Sequence, residues 1–163
     1  GPLCALPVEL IGEGTPLRPG RLYVAPGDTP VEVRRGQCRP RRPRNPGERR
    51  SPVDALFRAL AEAYGAGAVG VVLSGMGSDG ALGTVAIAAA GGMVLVQEPA
   101  TAAHPEMPES AIATGCVDTV DPPAGLARAL LSYARHLRRM EKEDAHGRLQ
   151  REIDDRRVAK AEL

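Results

Sequence analysis

Two short apolar runs, with a glycine-rich turn and a stretch of small residues between them, constrain the fold of this chain most. The runs are "AVGVVL" at 68–73 and "MVLVQ" at 93–97, and they are separated by "SGMGSDG" (74–80) and "ALGTVAIAAAGG" (81–92). Continuous apolar, β-branched runs are typical of strands that a parallel sheet buries on both faces. Two such strands need a crossover connection, which is usually a helix and is almost always right-handed. The sequence therefore predicts a βαβ unit and an α/β layered fold.

The part of the chain before this unit is rich in turn residues. Two alternating runs, 21–25 and 31–35, flank "PGDTP" and predict a β-hairpin. The basic stretch at 34–50, "RRGQCRPRRPRNPGERR", contains eight Arg and a single Glu and has no apolar periodicity. We expect it to form a solvated, mobile loop.

A helix is predicted to begin at Ser51. Ser51 is typical of an N-cap, Pro52 is typical of the first helical position, and the carboxylate of Asp54 can bond back to the cap. The helix should continue to about residue 64. Its apolar side is predicted to consist of Leu56, Phe57, Leu60 and Tyr64.

A second helical pattern occupies the C-terminal part of the chain. Apolar residues recur there at alternating spacings of four and three, at Leu126, Leu130, Tyr133, Leu137 and Met140. This seam predicts a terminal helix that packs on the sheet, with coiled-coil pairing as the alternative. After Met140 the sequence is mostly charged. We therefore expect residues 136–163 to form a charged helical tail or linker.

Composition limits the function classes. A chain of 163 residues, 43% hydrophobic and 25% charged, is long enough for one cored domain with an appendage. No apolar run approaches the roughly 20 residues of a membrane span, so we expect a cytoplasmic protein without membrane insertion. Aromatic residues make up 2% of the chain, which leaves no platform for stacking bases and argues against nucleic acid as a partner. The three cysteines lack a C-x-x-C pair, so neither a disulfide framework nor a metal site is predicted.

The turn after the first apolar run has two competing interpretations. Gly75, Gly77 and Gly80 form the spacing G-x-G-x-x-G after a strand, and Glu98 ends the next strand, which together match a dinucleotide-binding fingerprint. The objection is Asp79, because its carboxylate would compete with a pyrophosphate for the N-terminus of the following helix.

The second interpretation makes the turn part of an active site. An acid at a helix N-terminus is stabilised there, so Asp79 can be held ready to orient a histidine. The glycines then allow the backbone of Met76 and Gly77 to approach a substrate closely enough for an N–H to meet an oxyanion. No cofactor is expected in this case.

Several blocks of the sequence, in order, resemble one family. Residues 69–120, "VGVVLSGMGSDGALGTVAIAAAGGMVLVQEPATAAHPEMPESAIATGCVDTV", are similar to the C-terminal half of a CheB-type chemotaxis receptor methylesterase domain, and 17–36 and 51–62 resemble the hairpin and helix that precede it. The resemblance implies a doubly wound α/β hydrolase that removes methyl esters from glutamate side chains of chemoreceptors with a Ser-His-Asp triad. By this resemblance Asp79 matches the triad aspartate, and Met76 matches the residue whose N–H contributes to the oxyanion hole.

The chain departs from the family pattern in one respect. The family's nucleophilic serine and its histidine lie upstream of any segment present here, and neither the serines nor His104, His136 and His146 match those positions. His104 is expected to be an exposed loop residue that could serve as a base only if it reached Asp79. We therefore expect residues 1–135 to be a partial methylesterase domain without its N-terminal strands, inactive by itself.

The expected partners follow from the same resemblance. They are the methylated cytoplasmic helices of chemoreceptors and, within a parent protein, a receptor methyltransferase or a response-regulator domain. Two functions of other classes remain open on the sequence alone. One is a nucleotide-binding module that uses the glycine turn, and the other is a non-catalytic remnant that docks on receptors.

Overall fold

A computed structural model describes residues 5–27 and 29–161 of the chain. The chain divides into two compact units, the first ending at Leu126 and the second beginning at Ala127. The predicted division after residue 135 stays a prediction.

The centre of the first unit is a parallel sheet of three strands. These are β6 (Val69–Val72), β7 (Met93–Gln97) and β8 (Thr119–Asp121), in the order β6-β7-β8. The helix α3 (Ala81–Ala89) connects β6 to β7, so the predicted βαβ unit is confirmed. The middle strand is the most deeply buried, with Val94, Leu95 and Val96 inaccessible to solvent. This explains why its sequence is a continuous apolar run rather than an alternating one.

The helices α2 (Pro52–Tyr64), α3 and α4 (Glu106–Ala113) supply the rest of this core. Phe57 of α2 and Ile87 of α3 lie in one cluster with the strand residues Val72, Val94 and Val96. Tyr64, which the sequence placed on the apolar side of α2, is 44% exposed. Short 3-10 turns at Gly65–Gly67 and Pro99–Thr101 complete the connections.

The N-terminal strands pair differently from the prediction. They are β1 (Val8–Leu10), β2 (Thr15–Pro16), β3 (Leu22–Val24), β4 (Val31–Arg34) and β5 (Gln37–Pro40). The two predicted hairpin strands correspond to β3 and β4, yet β3 pairs in parallel with β1, whereas β4 pairs antiparallel with β5. The prediction of a hairpin across "PGDTP" was therefore wrong. The actual hairpin turns at Arg35 and Gly36, whose φ angles are both positive, at 49° and 73°.

The basic stretch is also more ordered than predicted. The mobile loop expected at 34–50 contains β5 and a four-residue helix, α1 (Pro46–Arg49). Asn45 caps that helix by accepting a hydrogen bond from the Glu48 amide at 2.9 Å, and the Glu48 carboxylate pairs with Arg41. Ion pairs and helix caps do not produce apolar periodicity, so the sequence pattern contains no sign of this order.

The described C-terminal part of the chain forms the helix α5 (Pro123–Ala161), and the charged helical tail or linker expected at 136–163 stays a prediction. Leu126 is buried, and Leu130 and Met140 are about 40% exposed, at 39% and 43%. Whether the seam packs on the sheet or pairs with another helix stays a prediction. Within the described ranges, no helix carries an apolar stretch long enough to cross a bilayer.

Candidate active site

The turn 74–80 follows the carboxyl end of β6, the edge at which parallel sheets usually place their ligands. Its first residues are fixed by the neighbouring segment. The Ser74 amide donates to Oε1 of Gln97 at 2.9 Å, and the Gly75 amide donates to the His104 carbonyl at 2.9 Å. In return the Met107 amide donates to the Gly75 carbonyl at 3.0 Å. Two adjacent loops thus form one bonded unit at this edge.

Asp79 is held by the N-terminus of a helix distant in sequence. Its Oδ2 accepts a hydrogen bond from the Val53 amide at 3.0 Å, and its Oδ1 accepts one from the Asp54 amide at 2.9 Å. These amides belong to the first turn of α2, where backbone N–H groups have no partner within the helix and where the helix dipole favours an anion. The sequence predicts this carboxylate at the N-terminus of α3, the helix that follows it. The electrostatic reasoning was right, but the helix was wrong.

Asp54 makes the reciprocal contact. It is 4% exposed, and its Oδ1 accepts a hydrogen bond from the Gly83 amide, in the first turn of α3, at 2.7 Å. The expected bond from Asp54 back to Ser51 is therefore wrong, and although Ser51 occupies the N-cap position its side chain makes no capping bond. Asp79, which precedes α3, caps α2, and Asp54, which lies in α2, caps α3. The two caps together connect α2, α3 and the turn.

The α2–α3 crossing is tight enough to explain the glycine at this point. A Cβ on Gly83 would lie 2.7 Å from the Phe57 Cβ and 3.1 Å from the Asp54 Cα. Only a residue without a side chain lets the Gly83 amide reach the Asp54 carboxylate. An isolated glycine in an alanine-rich helical pattern was the one sequence signal of this contact.

The middle of the turn presents unpaired backbone N–H groups. The Met76 side chain is 72% exposed, and its amide donates to no acceptor in the described part of the chain. Gly77, with φ of 81°, turns the backbone directly after it, and its carbonyl accepts a bond from Ser110 Oγ at 3.4 Å. A backbone donor without a protein acceptor, on an anchored turn, can bind an oxyanion without rearrangement.

No histidine contacts Asp79 among the described residues. His104 is exposed, as predicted, and its amide donates to Ser74 Oγ at 2.9 Å. His136 lies on α5, and the side chain of His146 is outside the described residues. The sequence-predicted residues Asp79 and Met76 thus share one turn, and the His104 side chain forms no hydrogen bond with Asp79 in the described residues.

The N-terminus of α3 is not free for a phosphate. Asp54 already occupies its Gly83 amide, and the Thr84 amide donates to the Gly80 carbonyl at 2.8 Å. A pyrophosphate there would meet a buried carboxylate, so the arrangement is unfavourable for the dinucleotide alternative.

The described residues include no cluster of His, Cys, Asp and Glu that could hold a metal ion. Cys38 is buried, and its burial raises the pKa of its thiol. Cys116 is half-buried and also free.

Comparison with known proteins decides the family. The family model for CheB methylesterase matches residues 1–130. The chain belongs to the CheB methylesterase family. The crystal structure of the CheB methylesterase catalytic domain from Thermotoga maritima is similar with a TM-score of 0.67 and 29% identity, over 75% of this chain and 67% of that one. The α/β fold expected from the sequence is therefore that of a CheB catalytic domain.

Curated relatives of the family are considerably longer than this chain. A protein-glutamate methylesterase/protein-glutamine glutaminase from Bordetella pertussis is 38% identical over 136 residues, which is 80% of this chain and 39% of the relative. A protein of the same description from Anaeromyxobacter dehalogenans is 41% identical over 142 residues, again 80% of this chain and 39% of the relative. The chain spans about two-fifths of the length of the relatives it matches.

Proposed function

We propose that this chain supplies the aspartate and an oxyanion-binding amide for hydrolysis of glutamate methyl esters on chemoreceptors. The observation that carries the proposal is that two helix amides donate hydrogen bonds to the Asp79 carboxylate. The unpaired Met76 amide lies three residues earlier in the same anchored turn. Membership of the CheB methylesterase family supports the reaction class.

Asp79 would orient the histidine of the triad. Each carboxylate oxygen accepts one backbone bond, and a carboxylate oxygen has two lone-pair positions, so each oxygen can still accept a histidine Nδ1–H. The backbone bonds fix the plane of the carboxylate. The histidine would then keep the tautomer in which Nε2 can take a proton from serine.

The Met76 amide would act on the substrate. The serine Oγ bonds to the ester carbonyl carbon while its proton passes to the histidine, and the carbonyl oxygen becomes an anion that the Met76 N–H stabilises. Collapse of this intermediate breaks the bond to the methoxy group, which takes the proton from histidine and leaves as methanol. Water then hydrolyses the acyl-serine by the same steps and yields the glutamate carboxylate.

The nucleophilic serine and the histidine base would come from a segment other than the residues described here. No described histidine bonds to Asp79, and the only bond between a histidine and Ser74 or Ser78 in the described residues comes from the His104 backbone amide, not from an imidazole. We therefore propose that the isolated chain is inactive. We further propose that residues 1–135 act as the methylesterase part and 136–163 as a charged helical tail, with a receptor methyltransferase or response-regulator domain as neighbours in the parent protein.

Joining this chain to the missing groups tests the proposal. A chimera places the serine- and histidine-bearing part of the Thermotoga maritima domain before the full chain, and methanol release from methylated chemoreceptor is measured. The chimera should release methanol, whereas each part alone should not. Ammonia release from receptor glutamines is measured in parallel, since the curated relatives are also named as glutaminases.

The alternatives give different results in the same experiments. A chimera that melts cooperatively but releases no methanol, while the chain binds receptor, would favour the docking remnant. A calorimetric Kd for NAD in the micromolar range would favour a nucleotide module; we expect no binding tighter than about millimolar, because Asp54 occupies the α3 N-terminus. Enzyme-like hydrolysis by the unextended chain would contradict the proposed division of the site.

A further inference from the structure

A cleft of about 450 Å³ lies between the β4–β5 hairpin and helix α2. The hairpin contributes Val31 to Gly36, and the helix contributes Ala55, Arg58, Ala59 and Glu62. It is lined by five arginines, Arg34, Arg35, Arg41, Arg44 and Arg58. The proposed active site does not use any of these residues, although α2 belongs to both regions.

Two of the three carboxylates in the cleft are already neutralised. Glu32 binds Arg34 Nε at 2.5 Å and an Arg39 terminal nitrogen at 2.8 Å, and the Arg39 bond is the main reason that its pKa is lowered. Glu48 binds Arg41 through both of its oxygens and accepts the Arg44 amide at 2.5 Å. Both carboxylates are thus bound by other arginine side chains, although the charge of Arg44 also contributes to the lowered pKa of Glu48.

Three other guanidinium groups of the cleft are not held in an ion pair with any carboxylate of the described residues. Arg35, Arg44 and Arg58 form no ion pair within the described residues, and Glu62 is the only lining carboxylate that is not already paired. The cleft therefore carries a surplus of positive charge. A second cavity of about 310 Å³, lined by Arg34, Arg35 and Arg39, adjoins the same hairpin and extends this basic surface.

The hairpin turn holds one of these arginines in an unfavourable conformation. Arg35 has φ of 49° and is the only non-glycine residue with positive φ in the described part of the chain. With Gly36 at 73° it forms a two-residue turn of the type that prefers Asn-Gly or Gly-Gly. A strained residue whose side chain lines a charged cleft points to a binding role rather than a structural one.

We propose that this cleft binds an acidic segment of a partner protein through paired carboxylates. Guanidinium groups match carboxylates in a bidentate geometry, and three unpaired ones around a single cleft suit several carboxylates in succession. A cleft of this size is much larger than one inorganic phosphate. Nucleic acid is a poorer match, because Tyr64 is the single aromatic residue among the lining residues and bases require stacking surfaces. The proposal is independent of the function proposed for the Asp79 turn.

The test is titration of a fluorescent octaglutamate peptide with the full chain, followed by anisotropy. The variants Arg58→Gln and Arg35→Asn should each weaken binding by about tenfold, and added salt should weaken binding further. The matched control is Arg18→Gln, which removes the same charge from an exposed arginine outside the cleft and should change the Kd by less than about twofold.

Arg35→Asn also separates binding from folding. Asparagine tolerates positive φ better than arginine, so this variant should melt at the same or a higher temperature while binding more weakly. A variant that melts higher and binds normally would overturn the proposal. The proposal is also overturned if octaglutamate does not bind, if Arg18→Gln weakens binding as much as Arg58→Gln, or if octathymidylate or inorganic phosphate at equal charge binds at least as tightly.

Discussion

Carboxylates join neighbouring elements in two regions of this protein, but they do so with different donors. Asp54 and Asp79 accept hydrogen bonds from backbone amides at the first turns of α2 and α3. Glu32 and Glu48 pair mainly with arginine side chains around the hairpin and α1. Asp54 is buried and Asp79 is half-buried, whereas the arginine partners of Glu32 are 52% and 73% exposed.

The difference lies in how precisely each arrangement fixes a charge. Backbone amides are held by the helix itself, so a carboxylate bonded to two of them has almost no rotational freedom. An arginine side chain keeps several rotatable bonds, and solvent screens its attraction to a carboxylate. The first arrangement suits a group that must orient a catalytic histidine, and the second suits an adaptable binding surface.

The largest expected effect is on turnover, which should depend on the carboxylate of the first region and not on those of the second. In the active chimera, Asp79→Asn should lower turnover by up to about four orders of magnitude, because the amide side chain would favour the wrong histidine tautomer. Substrate KM should change little. Glu48→Gln in the same chimera should keep turnover near normal, and Ser78→Ala should be mild. Near-normal turnover of Asp79→Asn, together with an inactive Ser78→Ala, would contradict the assignment.

The next effect concerns stability. Asp54→Ala leaves the buried Gly83 amide without its acceptor, so we expect the free energy of unfolding to fall by about 1–3 kcal/mol. Asp54→Asn retains an acceptor oxygen and should lose less. Denaturation with urea measures both, with and without added salt. A loss that disappeared at high salt would mean that Asp54 acts through charge alone rather than through this hydrogen bond.

Gly83→Ala tests the same contact from the other helix. Alanine is normally the better helix former by about 1 kcal/mol, yet here its Cβ would overlap with Phe57 and Asp54, so we expect a net loss of about 1–2 kcal/mol. Ala89→Gly, at an exposed position of the same helix, serves as a comparison for the propensity effect. Stabilisation by Gly83→Ala would show that the crossing can relax.

The sequence was most informative where one pattern determines one structure. The continuous apolar runs at 68–73 and 93–97 predicted the parallel strands, because burial on both faces leaves no position for polar residues. The family resemblance identified the turn and its two candidate residues. The direction of the Asp79 side chain was not predictable, because its partners Val53 and Asp54 lie 26 and 25 residues earlier in the chain.

Local signals failed where pairing depends on distant partners. The segments 21–25 and 31–35 alternate as strands should, but alternation does not specify which strand lies next to which. The real turn at Arg35 was missed because arginine is unusual at positive φ. The basic stretch has the sequence pattern of a mobile loop because ion pairs such as Arg41 with Glu48 have no signature in hydrophobic periodicity.

The smallest expected effect is the pH dependence of the stability that the Arg41–Glu48 ion pair contributes. The bond from Arg41 lowers the pKa of Glu48 from its ordinary value of 4.5 to about 2. Because the pKa is lower in the folded state, the stabilisation is fully present above about pH 4.5 and is lost as the pH falls towards 2. Glu48→Gln should therefore cost about 1 kcal/mol or less at pH 7, since the pair is near the surface, and almost nothing at pH 2. Thermal melts of both proteins across this range measure the difference, and about 1 M salt should reduce it at pH 7.

Asp54→Ala should not respond to salt in this way, because its partner is a neutral amide. If Glu48→Gln and the unchanged protein had the same melting temperature at every pH, the ion pair would contribute nothing to stability. The helix α1 would then depend on its Asn45 cap alone.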